Sequence, residues 1–153
     1  MTCPFPFVPS FFHVFRHLYK KAQLLVECVH GRFGPRDPTL ALAGTEQLTV
    51  MSDNVIPAML RAKGVLVLDA AAVAAVAAGP LPAGDLETVL RGLAVEACER
   101  LIRAVNNLAR PGATATMTKL TCSELDMWMW GVLGKSAEHR AAARHFTQDT
   151  IFY

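Results

Sequence analysis

The chain has 153 residues and a formal net charge of +2. That length suits one domain, which on folding buries roughly two thirds of the surface its unfolded chain exposes. The 52% apolar content excludes a disordered chain, and a charge of +2 gives no electrostatic ground for direct nucleic-acid binding.

Residues 1–9 hold three prolines and read as an irregular lead-in. Ser10 caps a predicted long helix reaching about residue 30. Its apolar face is Phe11, Phe15, Leu18, Ala22, Leu25 and Val29, and Lys20 and Lys21 fall on the solvated side or contact a phosphate. Gly31, Gly34 and Pro35 end it. Residues 46–52 read as a short helix and 55–63 as another, with Pro57 near its start and Gly64 as its stop. Asp69 caps an alanine-rich helix ending at Gly79, and residues 79–84 make a turn. Asp85 caps a second long helix to about Leu108, with a buried stripe of Leu86, Val89, Leu90, Leu93, Ala97, Leu101, Ile102 and Val105. Thr121 and Glu124 have the spacing of a capping box. The helix they open runs to about Leu133 and is apolar on two faces, one with Asp126, Met129 and Trp130 and the other with Leu125, Trp128 and Val132. Strand signals are almost absent, so the expected fold class is all-α.

Cys3, Cys28, Cys98 and Cys122 are widely spaced without a CxxC pair. They predict reduced thiols and no zinc site, and nothing else calls for a metal or cofactor. The N-terminus lacks a basic segment with a cleavage site, and residues 64–84 are interrupted by Asp69, Gly79, Pro80 and Pro82. No membrane span is expected, and a cytoplasmic or nuclear location is.

Two acids stand out. Asp53 lies at the break between two apolar segments, where it either caps the helix near Pro57 or does chemistry. Asp126 either faces solvent in the first turns of its helix or is a carboxylate set into an apolar stripe, with its pKa raised by desolvation. Two carboxylates in a helical pocket lined by Trp and Met suit cleavage of a glycosidic bond. One anion stabilises the cation-like sugar, and the other group binds or protonates the leaving base.

Five segments carry a resemblance: LYKKAQLLVECVHGRF (18–33), LTVMSDNVIPAMLRAKGVLVL (48–68), LPAGDLETVLRGLAVEACERL (81–101), LDMWMWGVLG (125–134) and DTIFY (149–153). In order and spacing the chain resembles the C-terminal half of the queuosine salvage family, the queuosine 5′-phosphate N-glycosylases. The resemblance covers nearly all of residues 10–153. It implies a helical domain related to helix-hairpin-helix DNA glycosylases, present as an incomplete copy. It also implies hydrolysis of queuosine 5′-phosphate, a small-molecule substrate, to release queuine for transfer RNA.

By the same resemblance Asp53 is the catalytic carboxylate and Lys20 a phosphate contact. Asp126, Met127 and Trp130 belong to the base-binding run, and Met51 stands where a phenylalanine usually faces the base. Gly131 stands where many members carry another acid. A preceding half, supplied in cis or by another chain, is expected to complete the pocket. The alternative is an inactive helical module that binds a base or a protein partner. A DNA-binding role follows from the fold relation alone, and the small net charge argues against it.

Overall fold

The computed structural model describes residues 18–82, 84–108 and 119–148. Among them the regular elements are helical: α1 (Lys20–Phe33), α2 (Val55–Ala62), α3 (Ala70–Ala78), α4 (Asp85–Leu108), α5 (Cys122–Gly131) and α6 (Ala137–Ala141). Three 3₁₀ turns join them at Pro38–Leu40, Thr45–Gln47 and Leu133–Lys135. The fold is all-α, with a single isolated bridge between Leu81 and Thr147. The expected cap at Ser10 and the segment 149–153 lie outside the described residues.

Local chemistry sets the helix ends. Asp69 accepts from the Ala72 N–H at 2.7 Å and starts α3. At the end of α2 the Gly64 N–H donates to the Arg61 carbonyl and the Val65 N–H to the Leu60 carbonyl, a Schellman closure. It needs the left-handed backbone that Gly64 supplies at φ 69°. At the start of α5 the Thr121 hydroxyl accepts from the Glu124 N–H at 3.2 Å, and Glu124 Oε2 accepts from the Thr121 N–H at 2.8 Å. Thr121→Ala removes half of this box and is expected to cost about 1 kcal/mol. An unchanged urea midpoint in that variant would show that the cap does not hold α5.

The core is built on α4, which at 24 residues is about 36 Å long. Helices α2 and α5 pack on it, and α6 packs on α2. Val55, Ile56, Met59, Ala94, Cys98 and Leu125 lie near the centre of the apolar cluster. Burial there pushes the Cys98 thiol up to about 12, so it is a neutral packing group at physiological pH. A smaller cluster of Val76, Leu81 and Leu90 sits under α3.

Five expectations are corrected. The first long helix does not run through residues 18 and 19: α1 begins at Lys20, because Tyr19 has a left-handed backbone at φ 46°. Its inward face is also different, since Leu25 is exposed while Lys20 and Gln23 turn inward to polar partners. Residues 46–52 are not a helix but a 3₁₀ turn at Thr45–Gln47 followed by irregular chain. The buried stripe of α4 is rotated from the expected one: Leu93, Leu101 and Val105 are exposed, and Glu87, Arg91, Ala94, Val95 and Cys98 are inside. Small Ala94 and Cys98 let neighbouring helices approach closely, and Arg91 finds polar partners inside. Finally, α5 stops at Gly131 and packs on one side only, with Trp128 50% and Val132 56% exposed.

Candidate active site

Residues 49–53, which belong to no helix, are the centre of the site. A non-helical run in an all-α domain has no ladder to satisfy its peptide groups, so other donors and acceptors must do it. Side chains from three helices supply them. Gln23 of α1 accepts from the Thr49 N–H at 2.8 Å and donates to the Thr49 hydroxyl at 2.9 Å. Asp126 of α5 accepts from the Met51 N–H at 3.0 Å. Arg91 of α4 donates its Nε–H to the Ser52 carbonyl at 2.9 Å. The Ser52 N–H closes back on the Val50 carbonyl at 2.8 Å. Residues 50–53 are almost wholly buried.

Asp53 ends this run, 3% exposed. Its two oxygens have different partners. Oδ1 accepts from the Val55 N–H at 2.7 Å, at the start of α2, and Oδ2 accepts from Lys20 Nζ at 2.8 Å. The capping role and the charged role therefore coexist in one carboxylate. A buried ion pair is costly to desolvate and is weak ground for a purely stabilising function. Lys20 is not on a solvated face, because only 16% of its side chain is accessible.

Asp126 is also 3% exposed, so it does not point to solvent. Burial raises its pKa to about 6, opposed by the Met51 N–H and by Lys20 and reinforced by the charge on Asp53. The charge on Asp53 is thus felt at Asp126. Among the described residues no cluster of His, Cys, Asp or Glu could hold a metal ion.

The remaining expected residues are placed unevenly. Met51 is buried and meets Asp126 through its backbone N–H. Trp130, one helical turn beyond Asp126, is 42% exposed, and Met127 lies further round α5 and is exposed. A groove lined by Ala58, Arg61, Leu66 and Ala143 includes neither acid.

Sequence reasoning missed three contributors. Gln23 and Arg91 look like surface polar residues on amphipathic helices, and only their burial reveals them. His145 is 1% exposed and lies near Glu87, Arg91 and Asp53. Burial, its largest influence, lowers its pKa to about 4, which leaves it neutral at pH 7. No spacing signal marks it.

A protein-family model described as queuosine salvage protein matches residues 13–153, almost the whole chain. The chain belongs to the queuosine salvage protein family. No curated protein matches it. The match includes every residue of the site, from Lys20 on α1 to Asp126 and Trp130 on α5. In this chain the two buried acids and the largely buried Lys20 meet at the 49–53 run and the helices that fix it. Its role lies in queuosine salvage. Among the described residues no helix is long and apolar enough to cross a membrane.

Proposed function

We propose that this site hydrolyses the N-glycosidic bond of queuosine 5′-phosphate and releases queuine. The observation that carries the reading is the juxtaposition of Asp53, ion-paired to Lys20 at 2.8 Å, with a second buried acid across the same backbone segment. Loss of the base leaves positive charge on the ribose ring, and a fixed carboxylate lowers the energy of that charge. Lys20 and the Val55 N–H hold Asp53 in place, so little reorganisation is needed when the charge develops. Water adds at C1′, and the C1′–N bond breaks with the base taking up a proton.

Asp126 takes the base. A 7-deazaguanine lacks the ring nitrogen that purine nucleosidases protonate, so the leaving group must be steadied through its other edges. Its N–H edge presents two neighbouring donors, which match a carboxylate. With a pKa of about 6, Asp126 is mostly ionised at neutral pH and ready to accept them. One Lys20 N–H is used by Asp53, and the ammonium retains donors for the 5′-phosphate. Trp130, partly exposed near Asp126 on α5, provides an apolar surface for the base.

Incubating the folded chain with queuosine 5′-phosphate and measuring free queuine by mass spectrometry tests this reading, with guanosine 5′-phosphate as the control. The second reading, a base-binding module without turnover, is favoured by the exposure of Met127 and Trp130. It predicts queuine binding with no release.

A further inference from the structure

We infer that Arg91 is a positioning residue for Asp53, acting through the Ser52 carbonyl. Arg91 is 4% exposed in the second turn of α4. Its Nε–H reaches the Ser52 carbonyl at 2.9 Å, and its Nη1 meets Glu87 Oε1 at 2.8 Å. The carbonyl it grips belongs to the peptide joining Ser52 to Asp53. Rotation of that peptide would swing the Asp53 side chain away from Lys20 and from the Val55 N–H.

Among the described residues, Arg91 supplies the side-chain hydrogen bond given for the Ser52 carbonyl. Gln23 fixes Thr49 and Asp126 fixes Met51, but both lie upstream of the peptide that aims Asp53. Glu87, one turn back on α4, orients the guanidinium so that its Nε side faces Ser52. The guanidinium is planar and presents donors in fixed directions, which an ammonium cannot copy. Arg91 is thus a rigid bracket from α4, the longest of the described helices, to the backbone of the acid. It touches no substrate itself.

The inference rests on the proposed hydrolysis only for its kinetic readout, and a second readout is independent of it. In Arg91→Lys, which keeps the charge beside Glu87, the Val55 amide should exchange with solvent roughly tenfold faster while amides in the middle of α5 keep their rates. The kcat for queuosine 5′-phosphate should fall roughly 10- to 100-fold with KM within about twofold, as expected for a misplaced reacting group. Unchanged Val55 exchange, or equal acceleration throughout α4 and α5, overturns the inference. So does a kcat equal to wild type in a chain that turns over. If wild type releases no base, the hydrolysis reading fails and the exchange pattern still decides the role of Arg91. If Arg91→Lys does not fold, the wild-type Arg91 Nε–H decides by NMR: protection from exchange supports the bracket, and rapid exchange overturns it.

Discussion

Asp53→Asn is expected to lower queuine release by roughly 10²- to 10³-fold, the range seen when one fixed charge-stabilising group is removed from a transition state. The substitution is nearly isosteric. The amide oxygen can still accept from the Val55 N–H, so the start of α2 is preserved. What disappears is the negative charge beside the sugar and the partner of Lys20. KM should change less than kcat, because the lost interaction strengthens only as the glycosidic bond breaks. Lys20 is left largely buried without its counter-ion, so some stability is lost as well, and circular dichroism must show a folded variant. Steady-state release measured on that folded variant decides the assignment. Full activity would mean that Asp53 is only a helix cap.

Asp126→Asn has the opposite effect on stability. In the folded chain the pKa of Asp126 is pushed up to about 6, from the ordinary 3.8 of an aspartate. The folded chain therefore holds this proton more tightly than the unfolded chain. Its contribution to stability is fully present below about pH 4, falls as pH rises through about 6, and is absent above that. At neutral pH the ionised group costs about 3 kcal/mol by the usual 1.4 kcal/mol per unit. Asparagine keeps an oxygen for the Met51 N–H, but its buried amide donors offset part of the gain. The expected net gain is about 1 kcal/mol at pH 8, vanishing or reversing at pH 4. Urea unfolding of both chains at pH 4, 6 and 8 reads it, and a difference that does not depend on pH would contradict it. Queuine binding should weaken in the same variant, because one of the two acceptors facing the base becomes a donor. Such a gain in stability with a loss of binding is the signature of a residue kept for function.

Much of the framework was legible in the sequence. Asp69, Gly64, the Thr121–Glu124 pair and the limits of α4 carry local chemistry, and local chemistry can be read in order along a chain. Which face of a helix turns inward was less legible. Apolar periodicity pointed to Leu25 on α1 and to Leu93 and Leu101 on α4, yet Gln23 and Arg91 face inward. Their partners, Thr49 and Ser52, lie 26 and 39 residues away, and no local pattern encodes such pairs. Residues 49–52 depart from the expected helix for a related reason. They make no ladder, so they need no strand alternation, and their peptide groups are satisfied by side chains from elsewhere. The candidate site was legible through the two acids and Lys20 in their resemblance to the family, while the backbone bracket that aims Asp53 was not.

The account turns on whether Lys20, Asp53 and Asp126 act together on one substrate. The most direct measurement is a time course of free queuine from the purified wild-type chain with excess queuosine 5′-phosphate. The account predicts more than one queuine per chain, with guanosine 5′-phosphate left intact. A folded chain that binds queuine yet releases none from the nucleotide would contradict it.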